Sequence, residues 1–323
     1  MPSIITHTLM AEKTLQELPT GPLKEAINAN KEAFLLGANG PDYLYFYNAL
    51  PWTDQKIRND FTCLANEVHS SHINDFYHLA LKLISNQNDH EIRLAMLAYL
   101  AGHLCHWALD CTAHPFIFYR TDGTTPETKY WHYRYEAMID TYMLDYYKKE
   151  ELIDLPQASL ITYSDFTIQA IADLYGPIVS EIWNFDLDEH QVTKAFKDFH
   201  SILMLTYDPV GIWFSIIQLF ETIKKDKWSF TGHFITLNKD DAKDILNLTR
   251  QKWANPCDCS RVHHDSFIEL FRESLYLGNK TLQTLENCLE TGRSAKLLTL
   301  IDNRSYDTGY SELRSMKYFD PIY

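Results

Sequence analysis

The chain has 323 residues, a formal net charge of -14, and 46% hydrophobic residues. A chain of this length and apolar content can bury a large core, as one domain or as two. The acidic balance argues against nucleic acid or anionic lipid as an incidental partner, because both repel an acidic surface.

The pattern of the chain predicts an all-α fold. Only 11 glycines and 12 prolines interrupt it, and alternating strand patterns are nearly absent. We therefore expect one large multi-helix bundle spanning 1–323, with its functional residues within 7–136 and supporting helices within 160–323. The predicted helices, in chain order, are Gln55–Ser85, Glu91–Ala113, Glu127–Lys149, Tyr163–Trp183, Gln191–Leu205, Val210–Lys225, Lys239–Trp253 and Asp265–Glu290, with loops at Gly37–Pro51 and Thr121–Pro126.

Two half-sites for a metal lie in tandem on two of these helices. The first reads His106-x-x-x-Asp110-x-x-x-His114 and the second His132-x-x-x-Glu136. A spacing of four places side chains on one helical face, so each half-site can present an imidazole and a carboxylate to one ion. The surrounding apolar residues predict that these groups are buried, and a buried charge needs a partner such as a divalent cation. Because Pro115 disfavours helical geometry at His114, the first helix is expected to end there.

Histidine is concentrated in the first part of the chain, with nine of the fourteen histidines before residue 133. A single histidine four residues from an acid is common on solvated helices, and core histidines explain two or three of the nine. Two such pairs on apolar helices within forty residues favour a metal cluster.

Other features bound location and redox state. The first thirty residues lack the pattern of a secretory signal, and the longest apolar run, 212–220, is too short to span a bilayer, so we expect a cytoplasmic protein. Peripheral membrane contact and the oligomeric state stay open. Six cysteines fit reduced thiols. Cys257-x-Cys259 with His263-His264 has the composition of a small zinc site, although a polar loop with packed thiols is the commoner origin.

The motifs from residue 7 to residue 136 resemble the zinc-dependent phospholipase C family, with S1/P1-type nucleases as distant relatives. Segments 253–256 and 266–271 look like the C-terminal helices of the intracellular bacterial branch of that family. The motifs that carry the resemblance, in family order, are Thr6-His7, Gly40-Pro41-Asp42, His69 with Asp75-Phe76-Tyr77, His106-x-x-x-Asp110, and His132-Tyr133-Arg134-Tyr135-Glu136.

The resemblance implies two or three zinc ions and a catalytic carboxylate. The first ion would take Asp42, His69, His106 and Asp110 as ligands. The second would take His114, His132 and Glu136, and a third would take His7 with Asp110 bridging. Asp42 would also be the general base. His72 competes with His69, although the spacing to Phe76 favours His69.

The chain departs from the secreted enzymes of that family in two places. There the second-ion histidine follows the bridging aspartate by six residues, whereas His114 follows Asp110 by four and precedes Pro115. There an N-terminal tryptophan also completes the third site, whereas this sequence reads Met1-Pro2-Ser3 shortly before His7. Two ions are therefore expected and the third is left open.

Three functions follow as alternatives. The first is a metal-dependent phosphodiesterase acting on a phospholipid or another small phosphodiester. The second is a nuclease-like or small phosphoester hydrolase on the same cluster. The third is a non-catalytic metal-binding scaffold. The aromatic stretch beside Asp42 could line an apolar substrate cleft, but core packing is the expectation for most of Tyr43, Tyr45, Phe46, Tyr47 and Trp52.

Overall fold

The computed structural model describes residues 4–50, 52–123, 125, 128–149, 155–224, 229–234 and 242–323. Over these residues the chain is all-α apart from one hairpin, as predicted. The helices are α1 Ile4–Glu17, α2 Pro22–Ala29, α3 Lys31–Gly37, α4 Gln55–Ser70, α5 Ile73–Asn86, α6 His90–Thr121, α7 Lys129–Lys148, α8 Asp165–Trp183, α9 Glu189–Thr206, α10 Ile212–Lys224, α11 Phe267–Thr291 and α12 Ala295–Ile301. The hairpin pairs β1 Trp253–Asn255 with β2 Asp258–His263 in antiparallel register.

Helix α6 is the centre of the fold. Asp89 caps it, accepting hydrogen bonds from the backbone N–H groups of Glu91 and Ile92 at 2.9 and 3.1 Å. From Ala95 to Asp110 every residue is buried, because helices pack on all sides of it: α1, α2, α3, α7, α8 and α11. A helix that is apolar all round belongs in a core. The first half-site is therefore surrounded by protein.

The expected end of this helix at His114 is wrong, because α6 continues through Pro115 to Thr121. Proline lacks the N–H that would bond the carbonyl of Cys111. Gly309, from the end of the chain, packs against that carbonyl so closely that a Cβ would lie 2.4 Å from it. Packing around the buried helix outweighs the lost hydrogen bond. His114 consequently lies on the same helical face as His106 and Asp110.

The predicted helix over residues 55–85 is two helices. His72 adopts a left-handed conformation with φ of 55°, which separates α4 from α5. The prediction missed this break because Ser71 and His72 carry no glycine or proline signal. Four shorter helices, α1, α2, α3 and α12, were also not predicted, and a short 3₁₀ helix, Asp42–Phe46, lies in the predicted loop at 37–51.

The predicted helix at Lys239–Trp253 is wrong over its described part, 242–253. Asp244 accepts hydrogen bonds from the backbone N–H groups of Leu248 and Thr249 at 2.7 and 2.8 Å, and Asn247 and Arg250 have positive φ. Such side-chain bonds compete with helix formation. The segment 253–256, which resembles a C-terminal helix in sequence, begins the hairpin instead, with Trp253 as the first residue of β1. Residues 239–241 and the predicted element ends at Pro51, Pro126, Glu127 and Lys225 lie outside the described residues.

The predicted helices in the second half of the chain otherwise match α8, α9, α10 and α11 within a few residues. Helix α6 is also the one described helix whose length and hydropathy would suffice to cross a membrane, but 83% of its most apolar window is buried inside the protein.

Candidate metal centre

Five structural elements bring the eight candidate ligands together around the middle of α6. His7 comes from α1, Asp42 from the 3₁₀ helix after α3, and His69 from the last turn of α4. Helix α6 supplies three residues and α7 supplies two. Seven of the eight are buried and His114 is nearly so: His7, Asp42, His69, His106, Asp110, His114, His132 and Glu136.

A tight turn places Asp42 against α6. Gly40 has φ of 51°, and a Cβ there would lie 2.3 Å from Cδ2 of His106. Only glycine combines that backbone conformation with so close an approach. A second contact has the same cause: Gly37 and Gly102 let α3 and α6 pack backbone to backbone. The Gly40-Pro41-Asp42 motif therefore has a geometric reason.

The first group of candidate ligands comprises Asp42, His69 and His106. The carboxylate Oδ1 of Asp42 lies 3.1 Å from Nε2 of His69 and 3.9 Å from Nε2 of His106. These three residues offer ligand atoms that all lie within 4.8 Å of one another. A single ion would therefore reach all three.

The second group centres on Asp110, whose two oxygens face different partners. Oδ2 lies 2.9 Å from Nε2 of His106, and Oδ1 lies 3.2 Å from Nε2 of His7 and 3.5 Å from Nε2 of His114. His7 and His106 stack at 4.1 Å between ring centroids. Asp110 thus faces candidate ligands of every group, the geometry expected of a bridging carboxylate.

The third group is His114, His132 and Glu136. Oε1 of Glu136 lies 3.4 Å from Nε2 of His114 and 3.2 Å from Nε2 of His132. Because His114 lies near both Asp110 and Glu136, this group adjoins the second one. The spacing of four between Asp110 and His114, which departs from the secreted enzymes, still places the imidazole at the centre.

Backbone and hydroxyl acceptors fix the tautomers of three histidines. Nδ1 of His69 donates to the Ala65 carbonyl at 2.7 Å, and Nδ1 of His106 donates to the Ala38 carbonyl at 3.1 Å. Nδ1 of His132 lies 3.1 Å from the hydroxyl of Thr121, whose own hydrogen goes to the Ile117 carbonyl. A neutral imidazole has one N–H, so each ring points the lone pair of Nε2 inward. Metal-binding histidines are oriented in this way.

The inward lone pairs need a cation. In His69 and His106, Nε2 faces a carboxylate oxygen at about 3 Å although its ring hydrogen is already on Nδ1. Within the described residues, Nε2 of His106, Oδ2 of Asp110 and Nδ1 of His7 have no hydrogen-bond partner. Buried polar atoms are normally paired. The residues therefore fit divalent metal ions, with nitrogen and carboxylate ligands of the kind zinc takes.

The electrostatics of the metal-free site point the same way. Burial lowers the pKa of His114, but the carboxylates of Asp110 and Glu136 outweigh burial and raise that pKa to about 9. Burial raises the pKa of Asp110, but His106, His114 and His7 outweigh it and hold that pKa well below its usual value. The site thus attracts positive charge, whether as protons or as metal.

The structure separates His69 from its competitor. His69 is buried against Asp42, whereas His72 is exposed and pairs with Asp75 at 2.8 Å. His103, one turn before His106, has both ring nitrogens occupied: Nδ1 lies 3.0 Å from the hydroxyl of Tyr77 and Nε2 lies 2.8 Å from that of Tyr175. His72 and His103 therefore do not contribute to the centre.

Three residues at the centre were not predicted. Oδ1 of Asp307 lies 3.7 Å from Nδ1 of His114. Tyr306 packs against His69 with ring centroids 5.2 Å apart, and its N–H donates to the His69 carbonyl at 2.9 Å. Asp140, one turn beyond Glu136 on α7, accepts hydrogen bonds from the N–H groups at the start of α1. Tyr306 and Asp307 lie far from the motifs in sequence, so no local signal could have found them.

The aromatic residues after Asp42 divide between core and site. Tyr43, Phe46 and Tyr47 stack on core rings, at 4.5 Å from Phe196, 3.9 Å from Phe199 and 3.8 Å from Phe61. Tyr45 alone of this stretch contacts a candidate ligand, with its ring 5.5 Å from His69. Trp52 is exposed.

The cysteine and histidine cluster near 257–264 does not gather as a metal site. Sγ of Cys257 lies 3.9 Å from the Arg314 carbonyl, and Nδ1 of His264 lies 3.2 Å from the Arg250 carbonyl. The ring of His263 stacks on Trp253. These side chains are engaged separately, and the potential metal-binding groups of the described residues are the three around α6.

Comparison with known families identifies the class of protein. The model of the zinc-dependent phospholipase C family matches residues 6–185, which is more than half of the chain and a span within which all eight candidate ligands lie. The chain belongs to this family. No curated protein and no solved structure matches the chain. With its buried groups of imidazoles and carboxylates, the protein has the features of a zinc-dependent, phospholipase-like hydrolase.

Proposed function

We propose that this protein hydrolyses the phosphodiester bond of a phospholipid on the glycerol side of the phosphorus, releasing a diacylglycerol and a phosphorylated head group. The observation that carries the proposal is the convergence of five Nε2 atoms on three buried carboxylates in a chain that belongs to the zinc-dependent phospholipase C family.

Zinc bound in these groups would lower the pKa of a coordinated water and neutralise charge on the phosphate. The remaining roles fall to the chain's own side chains. His69, His106 and His132 hold their lone pairs inward through the acceptors on Nδ1. Asp110 faces ligands of neighbouring groups, and Glu136 lies between His114 and His132 of the third group. In our proposal the first and third groups would each hold one ion, and His7 would serve a further ion in the second group, around Asp110.

Asp42 is the residue that we assign to proton transfer. Its carboxylate lies beside two imidazoles at the end of a turn rather than within a long helix, and His106 and His69 hold its pKa low despite burial, so it is ionised. An ionised carboxylate within one hydrogen bond of the attacking water accepts its proton at Oδ as the oxygen bonds to phosphorus. The glycerol oxygen then leaves with the electron pair of the broken P–O bond and takes up the proton that Asp42 removed from the water, which returns Asp42 to its ionised form.

The test combines metal content with a substrate panel. Purified protein should retain zinc after desalting, and His132→Ala and Glu136→Gln should each retain less. His72→Ala is the matched control, because His72 is an exposed histidine outside the centre. The zinc-loaded parent should hydrolyse phosphatidylcholine or another phospholipid, and should act poorly on single-stranded DNA.

Two results would count against the proposal. A zinc-loaded parent that is inactive on every phosphodiester would favour the scaffold alternative. Unchanged zinc content in both variants would mean that His132 and Glu136 form only a buried ion pair.

A further inference from the structure

Helix α10 carries an apolar face that is turned to solvent. Its inward side consists of Phe214 and Glu221, both buried, while five large apolar side chains are at least 60% exposed. The exposed apolar residues of the helix are Ile212, Trp213, Ile216, Leu219, Phe220 and Ile223. At about 100° per residue they form a stripe about 120° wide, on the side of the helix away from Phe214 and Glu221. Exposed apolar stripes of this extent mark binding surfaces.

The helix is fixed in this orientation by polar contacts on its inner side. The N–H of Phe214 donates to Asp208 at 2.6 Å. The carboxylate of Glu221 accepts from the N–H groups of Phe230 and Thr231 at 2.7 and 2.8 Å. Rotating the helix to turn the stripe inward would break these hydrogen bonds. The exposure of the stripe is therefore a property of the fold.

The same inner side connects α10 to the candidate metal centre. The guanidinium of Arg134 lies over the ring of Phe214 at 5.2 Å, and Arg134 stands between His132 and Glu136 on α7. Tyr133 packs against His233 with ring centroids 4.5 Å apart. The stripe thus lies on the outer side of the α7 segment that presents the third ligand group. The family match ends at residue 185 and does not include α10.

We propose that the outward face of α10 docks on a phospholipid bilayer and so places the metal centre beside its lipid substrate; this rests on the proposed function. The charge of the helix selects this occupant. Its two ionisable side chains are Glu221, which is buried, and Lys224, which is exposed, and the sequence continues with Lys225, Asp226, Lys227 and Trp228. Cationic side chains beside a tryptophan-containing apolar face are typical of helices that lie in a membrane interface.

A second copy of the chain is a poorer occupant. Each chain has a net charge of -14, so two copies repel each other, whereas the exposed Lys224 is attracted to the phosphate groups of a bilayer. The acidic character of the whole chain would confine contact with lipid to the apolar stripe and the adjoining Lys224.

Vesicle flotation tests the proposal. The probe is vesicles of phosphatidylcholine mixed with phosphatidylserine, and the variant is the double substitution Trp213→Gln with Phe220→Gln. Its control, Leu248→Gln with Tyr276→Gln, removes two other exposed apolar side chains, 61% and 71% exposed. The parent and the control should float with the vesicles, while the Trp213/Phe220 variant should bind roughly tenfold less or weaker still. Hydrolysis of a water-soluble phosphodiester should be equal in all three proteins.

The outcomes separate docking from catalysis. Flotation is measured with both zinc-loaded and chelator-treated protein, and lipid hydrolysis is measured separately with the zinc-loaded protein. A zinc-loaded parent that binds vesicles without hydrolysing lipid contradicts the proposed function and leaves docking intact. A parent that does not float, or a Trp213/Phe220 variant that floats as the parent does, overturns docking. Sedimentation tests self-association. A dimeric parent with a monomeric Trp213/Phe220 variant would assign the stripe to self-association and would also overturn docking on lipid.

Discussion

At the scale of single residues, ring-nitrogen partners distinguish candidate ligands from similar histidines. His103 and His106 are three positions apart on one helix, yet His103 has a tyrosine hydroxyl at each nitrogen, while His106 has a carbonyl at Nδ1 and carboxylates at Nε2. The sequence pattern distinguished His106 from His103 because Asp110 follows His106 by four residues. The tyrosines that occupy His103 come from α5 and α8, and no sequence pattern shows that contact.

Substituting Asp42 should affect turnover more than folding. Asp42→Asn keeps the shape and one acceptor oxygen of the side chain but removes the basic carboxylate. Phosphodiester hydrolysis by the zinc-loaded protein should fall by roughly 10²-fold or more, a typical contribution of a general base, with little change in melting temperature. Asp75→Asn, which alters an exposed aspartate, should behave like the parent. An Asp42→Asn protein that keeps its zinc and the parent's rate would exclude Asp42 as the base.

Removing the metal should change how stability depends on pH. In the metal-free protein the pKa of His114 is raised to about 9, from 6.5 when unfolded. Its protonated form therefore stabilises the fold fully below about pH 6.5, and this contribution is lost as the pH rises through 9. The melting temperature of chelator-treated protein should fall between about pH 6.5 and pH 9, and less so in His114→Gln.

Zinc-loaded protein provides the comparison for that measurement. Metal replaces the protons as the cation between the carboxylates, so the alkaline decrease should be much smaller, whereas zinc should dissociate as the pH falls and the imidazoles are protonated. Equal alkaline decreases with and without zinc would place the titrating group elsewhere.

At the scale of elements, periodicity predicted the long helices and their ligand-bearing faces, because an apolar repeat reports burial directly. It failed where tertiary contacts decide. The packing of Gly309 on the Cys111 carbonyl accompanies the passage of α6 through Pro115. Helix α1, which carries His7, was missed although it is buried along much of its length. Its first described turn is held by a carboxylate from another helix.

That carboxylate belongs to Asp140 of α7. Its Oδ2 accepts from the N–H of Ile5 at 3.0 Å, and its Oδ1 accepts from the N–H of Thr6 at 2.8 Å and from the Thr6 hydroxyl at 2.6 Å. These are N–H groups that a helix start leaves without internal partners. Asp140 thus acts as a cap supplied by α7, and it fixes the position of His7, the next residue.

Removing this cap should destabilise the fold and loosen His7. Asp140→Ala leaves two buried N–H groups without an acceptor, at a cost of about 1–3 kcal/mol each. The free energy of unfolding in denaturant should therefore fall by about 2–6 kcal/mol. Thr6→Val removes one of the three hydrogen bonds and should cost less. Zinc bound per chain should decrease in Asp140→Ala. If Asp140→Ala were as stable as Thr6→Val, the carboxylate would not be the cap.

At the scale of the whole molecule, the end of the chain closes a centre built by its first half. The indole N–H of Trp107 donates to the Arg304 carbonyl at 3.0 Å, and the N–H of Tyr306 donates to the His69 carbonyl at 2.9 Å. These bonds hold residues 304–307 across α4 and α6. The family match ends at residue 185, so this closing segment is a feature of the chain that the match does not include.

The carboxylate that this segment brings to the centre should strengthen zinc binding. Asp307 lies 3.7 Å from Nδ1 of His114, just beyond hydrogen-bond distance, and is only partly exposed, so it adds negative charge beside the third ligand group. Partners of this kind typically change metal affinity by roughly 10–100-fold. Asp307→Asn should therefore weaken zinc binding by about tenfold in competition with a chelator, while chelator-treated protein melts as the parent does. Glu312→Gln is the matched control, because Glu312 lies in the same segment and its side chain is exposed and paired with Arg314 at 3.6 Å. If Asp307→Asn binds zinc as tightly as Glu312→Gln does, the C-terminal segment closes the centre by packing alone.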